Sequence, residues 1–153
     1  MTKNTSYMTQ SGFDAVLKEY KELKNARPQF VEKLTEAAAQ GDRSENAAYS
    51  FAKRKLRSND GRLRFLKKIL DFSTIATPSQ NGQVEIGSDV TVKFNDTEFV
   101  FHIVGHHEAN PSEKKISYRS PLGSALLNRK VGDLVKVALE DREITYKIVD
   151  ISY

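Results

Sequence analysis

The sequence of 153 residues contains no cysteine, so it has neither a disulfide framework nor a thiolate metal site. It also lacks any apolar run near the roughly 20 residues that a membrane-spanning helix needs. The N-terminus lacks the charged region, apolar stretch and small-residue cleavage site of a signal peptide. These absences predict a soluble cytoplasmic protein with no membrane partner.

Familiar catalytic signatures are missing as well. The glycines of the second half do not form a phosphate-binding loop. Ser120 has no partners for a catalytic triad and is better explained as a helix cap. Metal-ligand spacing is not convincing for the histidines near Glu108, which are His102, His106 and His107. A net charge of +4 favours an anionic partner only weakly, and its distribution along the chain matters more.

Apolar residues of the first half repeat with helical spacing. They predict a helix capped by Thr9 or by Ser11, the latter in a capping box with Asp14. Pro28 is expected to kink or break this helix, because proline lacks an amide donor and clashes with the preceding turn. The pattern then resumes and stops at Gly41.

A second helix carries a heptad seam, in which residues are spaced alternately by three and four positions. Asn59 is a polar member of the kind that fixes register. The seam consists of Tyr49, Ala52, Leu56, Asn59, Leu63, Leu66 and Leu70. Two helices joined near Gly41 predict an antiparallel coiled-coil hairpin with its tip at about residues 41–46. Each arm of about 30 residues would be about 45 Å long. Phe51 and Phe65 lie off the seam, and we expect them to pack against the second domain or the flanking part of the chain rather than to stack on a base.

The apolar period changes to two in the second half. Strands are predicted on either side of a turn at Asn95-Asp96, and again at Lys115–Arg119, Leu134–Leu139 and Ile144–Ile151. A short helix over Leu122–Asn128 should follow Ser120 as N-cap and Pro121 at the first helical position. The fold class is therefore α+β. A helical hairpin occupies residues 1–73, a linker 74–87, and a mostly antiparallel sheet domain with one helix 88–153.

The hairpin turn carries two carboxylates, Asp42 and Glu45, three positions apart and on one face. They could hold a hard divalent cation such as Mg²⁺, but only where a second macromolecule supplies the remaining ligands. Alternatively, Asp42 as N-cap and Glu45 at the third helical position form a capping box. Both interpretations stay open, because a cap can release its carboxylate to a metal.

The second helix is strongly basic, and none of its cations falls on the seam. They are Lys53, Arg54, Lys55, Arg57, Arg62, Arg64, Lys67 and Lys68. Such a surface either keeps a coiled coil soluble or follows the phosphates of a nucleic acid towards the acidic tip. Acidic residues are sparse in this helix after Glu45, which favours the second interpretation.

The hairpin turn reads Gly41-Asp42-Arg43-Ser44-Glu45-Asn46-Ala47 followed by Tyr49. This segment resembles the tip signature of the Gre transcription elongation factors. The run Lys53-Arg54-Lys55-Leu56-Arg57 looks most like the GreB branch. The segment 120–127, with Val131-Gly132-Asp133 after it, is similar to the C-terminal signature of the family. The resemblance covers essentially the whole chain.

The resemblance implies an FKBP-like C-terminal domain that binds the rim of the secondary channel of bacterial RNA polymerase. Its polymerase-binding residues would be Ser120, Pro121, Leu122, Gly123 and Leu126. The hairpin would enter the channel, where Asp42 and Glu45 hold the second catalytic Mg²⁺ jointly with the polymerase. Tip-supporting residues would be Gly41, Arg43, Ser44, Asn46 and Tyr49. A basic face would contact the 3′ end of the nascent RNA through Lys53, Arg54, Lys55 and Arg57.

The expected function is stimulation of endonucleolytic cleavage of backtracked RNA by the polymerase. The chain itself would be no nuclease, would bind no cofactor in isolation and would be a monomer. Ala48 stands where family members commonly carry a third acid, but the two acids assigned to the metal are intact. Two alternatives are a secondary-channel binder that regulates or inhibits without cleavage, and a stand-alone RNA-binding hairpin. An FKBP-like fold does not by itself imply prolyl isomerase activity.

Overall fold

A computed structural model describes residues 6–40 and 46–153 of the chain. The chain forms two compact units. The helical unit comprises Asp14–Phe72, and the sheet unit comprises Met1–Phe13 with Ser73–Tyr153. In the described ranges, no helix is both long enough and apolar enough to cross a bilayer.

The first helix, α1, extends over Gln10–Ala38 and begins at a threonine cap. Thr9 Oγ1 accepts a hydrogen bond from Gly12 N at 3.1 Å, as an N-cap side chain does. Ser11 therefore lies inside the helix, and the expected capping box of Ser11 with Asp14 is wrong. The Thr9 amide in turn donates to Glu108 Oε2 at 2.9 Å, which holds the start of α1 within the sheet unit.

The expected break at Pro28 is wrong, because α1 is continuous through this residue. Proline removes one backbone hydrogen bond, but the turns on both sides keep theirs. The neighbouring Arg27 also ties this part of α1 to the second helix, α2 (Ala47–Phe72), through a bond from Nε to Asp60 Oδ1 at 2.8 Å. Hydrogen bonding from Arg27 lowers the pKa of Asp60.

The heptad seam of α2 is confirmed, since each member is buried or half-buried. The helices are antiparallel: Arg62 of α2 donates to both Glu19 oxygens of α1 at 2.7 and 2.9 Å, while Asn46 reaches the other end of α1. This paired guanidinium lowers the pKa of Glu19. The hairpin therefore combines a mainly apolar seam with ion pairs along its sides, and the latter contribute little individually because they are exposed.

Asn59 is the polar member of the seam and is only 6% exposed. Its amide nitrogen and oxygen have no hydrogen-bond partner among the described residues. Since an unsatisfied buried polar group costs roughly 1–3 kcal/mol, Asn59→Leu should raise the free energy of unfolding by a similar amount. Urea denaturation followed by circular dichroism would measure this change. A lower free energy of unfolding for Asn59→Leu would contradict this prediction. Light scattering would show whether removal of the polar seam residue changes the oligomeric state.

The sheet unit is built on five strands: β3 (Asp89–Phe94), β4 (Thr97–Val104), β5 (Lys115–Ser117), β6 (Leu134–Ala138) and β7 (Glu143–Ser152). Their order in the sheet is β5-β4-β3-β7-β6. Neighbours are antiparallel except β4 and β5, which are parallel. The alternating pattern of the sequence thus predicts the positions of these strands and a mostly antiparallel sheet, although the strand predicted at Lys115–Arg119 ends at Ser117. Its core holds mainly β-branched residues: Val84, Val90, Val92, Ile103, Val135, Val137 and Ile148, with Phe101 and Leu126.

A second, two-stranded sheet is missing from the sequence prediction. Strand β1 (Ser6–Met8) pairs in parallel with β2 (Ser73–Ile75), and Met8 is fully buried. Three-residue strands are too short to show an alternating pattern. The segment 74–87, for which the sequence predicts a linker, thus contains strand residues, and also the fully buried Val84.

Helix α3 (Pro121–Leu126) agrees with the predicted start at Ser120 and Pro121. Ser120 Oγ accepts from Gly123 N at 3.0 Å and donates to Ser117 O at 2.7 Å. The side chain therefore satisfies an orphan amide of α3 while joining the helix to the end of β5.

Candidate functional site

Five of the predicted tip residues lie outside the described residues: Gly41, Asp42, Arg43, Ser44 and Glu45. Their assignment as metal-binding and tip-supporting residues stays a prediction. The structure does describe both bases of the tip, the end of α1 and the start of α2. These flanks decide whether the acids are needed for helix capping.

Asn46 caps α2. Its Oδ1 accepts from Tyr49 N at 3.1 Å, three residues into the helix, which is the usual contact of an N-cap side chain. Its Nδ2 donates to Ala37 O at 2.7 Å and so satisfies a carbonyl in the last turn of α1. One amide thus closes the ends of both helices. Asn46 is therefore the N-cap at the described start of α2. The alternative capping box of Asp42 with Glu45 lies outside the described residues.

The described part of the chain offers no second candidate metal site. Across residues 6–40 and 46–153, no group of three or more histidine, aspartate or glutamate side chains is arranged to hold a metal ion. His102 Nδ1 instead lies 2.5 Å from Asp89 Oδ1, and Glu108 accepts from the amides of Thr9 and Gly105. Burial lowers the pKa of His107.

The basic face consists of exposed side chains: Lys53, Arg54, Lys55 and Arg57. Among the described residues, none of the four lies within ion-pair distance of a carboxylate. Two other cations of α2 differ, because Arg62 pairs with Glu19, and Lys67 lies 3.1 Å from Asp71. The four cations nearer the tip therefore have no ion pair with an acid in the described part of the chain.

Two aromatic side chains of α2 differ from expectation. Phe51 is 56% exposed and Phe65 is 44% exposed, so neither is packed away. Each ring has a cation over it: Lys55 Nζ lies 5.4 Å from the Phe51 centroid, and Arg62 Cζ lies 5.4 Å from that of Phe65. The signal in the sequence is their position off the seam, which by itself does not say what the rings contact.

The segment predicted to bind polymerase is largely part of the core of the sheet unit. Gly123 and Leu126 are buried, and half-buried Leu122 packs against the core cluster. Pro121 is exposed at the first turn of α3, while Ser120 is engaged as its cap. Polymerase binding through this segment stays a prediction, and its accessible part is the Pro121 end.

Two family models match the chain in consecutive segments. The model described as "Transcription elongation factor, N-terminal" matches residues 6–75, and that described as "Transcription elongation factor, GreA/GreB, C-term" matches residues 79–153. Together they span both units of the fold and define a transcription elongation factor. The chain belongs to the GreA/GreB family.

Relatives of both branches support this membership. Transcription elongation factor GreA 1 of Lactiplantibacillus plantarum is 42% identical over 144 residues, covering 93% of this chain and 92% of that protein. Transcription elongation factor GreB of Yersinia pestis is 40% identical over 153 residues, covering 97% and 90%. These identities do not separate the branches, so the closer likeness to GreB stays a prediction. Among solved structures, GreA factor homolog 1 of Thermus thermophilus is 21% identical with a TM-score of 0.46, covering 98% of this chain and all of that one.

Proposed function

We propose that this elongation factor enters the secondary channel of bacterial RNA polymerase and stimulates cleavage of backtracked nascent RNA. Asp42 and Glu45 would be its catalytic contribution, as ligands of a Mg²⁺ ion shared with the polymerase. The observation that carries the proposal is the Asn46 cap of α2. Because an amide already closes the two helix ends, the capping alternative for these two carboxylates loses its support.

The donor set fits a shared metal better than a resident one. Mg²⁺ commonly takes one or two protein carboxylates and completes its octahedron with water and phosphate oxygens. Two carboxylates from this chain would therefore need oxygen ligands from the polymerase and the RNA. A second Mg²⁺ held there would help stabilise the attacking and leaving oxygens of phosphoryl transfer. The chain would act as a cofactor of the polymerase and not as an enzyme of its own.

The surface of α2 supports contact with the extruded RNA. Four exposed cations without carboxylate partners follow the tip at Lys53, Arg54, Lys55 and Arg57. Cations in such positions bind phosphates and release counterions, which gives affinity that falls with salt. The exposed end of α3 at Pro121 would contribute to binding at the channel rim.

A stalled, backtracked elongation complex tests this function. We expect RNA cleavage to accelerate at least about 10-fold when the protein and the polymerase are combined, and the protein alone to cleave no RNA. A positioned general acid or base typically contributes 10²-fold or more, so about 10-fold is a cautious minimum for a contributed metal ligand. Polymerase binding without faster cleavage would instead identify a regulatory channel binder. Tight, salt-sensitive binding to free RNA with no effect on polymerase would identify a stand-alone RNA-binding hairpin.

A further inference from the structure

A groove of about 570 Å³ lies between α1 and α2 beside the capped start of α2. Phe30 of α1 and Phe51 of α2 give it an aromatic lining, and the buried seam residue Ala52 also lines it. Lys33 and Lys55 line it with positive charge. Its volume lies within the range of sites that bind small organic molecules. It is therefore large enough for a nucleobase with part of its sugar.

We infer that this groove binds a nucleobase of single-stranded RNA by stacking on Phe51, while Lys33 and Lys55 contact the flanking phosphates. The inference rests on the proposed function, in which the RNA end lies near the tip, and it adds a base contact to the phosphate contacts of the basic face. It makes Phe51 an RNA-binding residue. The contact is tolerant of sequence, because every base has a face that can stack.

The exposure of Phe51 is the first argument. A phenylalanine that leaves 56% of its surface in water on a helix with a well-packed seam is not required by the hairpin core. The Lys55 ammonium lies over its ring at 5.4 Å, so an aromatic face and a cation stand side by side. Single-stranded nucleic acid sites combine the same two features, a stacking ring and a cation that follows the backbone. The flexible lysine stem lets the ammonium move from the ring to a phosphate.

The charges around the groove favour RNA over an apolar protein segment. Lys33 and Lys55 outnumber the single acid of the lining, Glu36, and Gln40 is neutral. Lys55 also belongs to the basic face, so the groove shares a cation with that surface. A purely hydrophobic partner would leave these cations unpaired on its border, whereas a phosphate backbone neutralises them.

An NMR titration of the full 17.3 kDa chain tests the inference without polymerase. The probes are a short single-stranded oligouridylate and an abasic oligonucleotide of the same length and charge. We expect the oligouridylate to shift the resonances of Phe30, Phe51 and Ala52 in a saturable way, and the abasic probe to bind at least about fivefold more weakly. Phe51→Ala should weaken oligouridylate binding by about fivefold or more, the lower limit for one stacked base, and Phe51→Tyr should retain it.

Phe65→Ala is the matched control. Phe65 is on the same helix, is also partly exposed and also has a cation over its ring, but it does not line the groove. Equal binding of the base-bearing and abasic probes, no measurable binding, or equal loss in Phe65→Ala and Phe51→Ala would overturn the inference. So would weaker polymerase binding by Phe51→Ala with unchanged RNA binding, which would mark a protein contact. Each of these results leaves the cleavage function standing, because that function is measured separately through Asp42.

Discussion

Asp42→Asn should lower stimulated RNA cleavage in a stalled, backtracked complex by at least about 10-fold, to near the rate of the polymerase alone. Replacing a group that only orients a metal ligand typically costs 10- to 100-fold, so loss of a ligand itself should cost no less. Asparagine keeps the size and hydrogen-bonding capacity of the side chain but loses the charge that Mg²⁺ needs. The melting temperature should stay unchanged, because the N-cap of α2 is supplied by Asn46. Cleavage rates and thermal melts of the same preparations measure both quantities.

Asn46→Ala is the control, because it should lower stability and retain cleavage, whereas Asp42→Asn should retain stability and lose cleavage. Asn46→Ala removes the contacts to Tyr49 N and Ala37 O and should lower hairpin stability by roughly 0.5–2 kcal/mol, the usual cost of a lost N-cap. Its tip carboxylates remain, so it should retain more cleavage activity than Asp42→Asn at temperatures where it is folded. Equal stimulation by wild type and Asp42→Asn would show that this carboxylate is not a metal ligand.

Gly123→Ala should destabilise the sheet unit by about 2–3 kcal/mol or more. A Cβ at this position would lie 2.0 Å from Ser117 O and 2.9 Å from Ser117 C, which are backbone atoms and cannot rotate away. Helix α3 would have to move from the end of β5, at the upper range of overpacking costs. Calorimetry should show the sheet transition at a lower temperature. Loss of polymerase binding in this variant would therefore follow from unfolding and would not by itself place Gly123 in the interface.

Gly61→Ala is the matched control for a glycine-to-alanine change. The nearest atom to its new Cβ would be Arg64 Nη2 at 3.8 Å, so the methyl group has room. Alanine in the middle of α2 should stabilise the hairpin by roughly 0.5–1 kcal/mol. A stable Gly123→Ala protein, or a destabilised Gly61→Ala protein, would mean that local backbone crowding does not govern these positions.

Much of the architecture could be predicted from local patterns in the chain. Seven seam positions of α2 repeat with heptad spacing, and their burial agrees with that repeat. Period-two alternation marks the strands of the five-stranded sheet, and Ser120 with Pro121 marks the start of α3. These features depend on residues a few positions apart, whose side chains share a face once the backbone conformation is set. The charge of the basic face is likewise visible in the sequence.

Contacts between distant segments were decided only by the tertiary structure. The Asn46 side chain caps α2 locally through Tyr49 N, but its second hydrogen bond, to Ala37 O of α1, forms only because the hairpin brings the two helix ends together. The Thr9 amide donates a hydrogen bond to Glu108, which is 99 residues away in the sequence. Strand β1 pairs with β2, although the whole hairpin separates them in the sequence. The groove beside Phe51 exists because α1 places Phe30 on its other wall. Helical and strand periods report the face on which a residue lies, whereas a hydrogen bond or a groove also requires a partner brought there by folding.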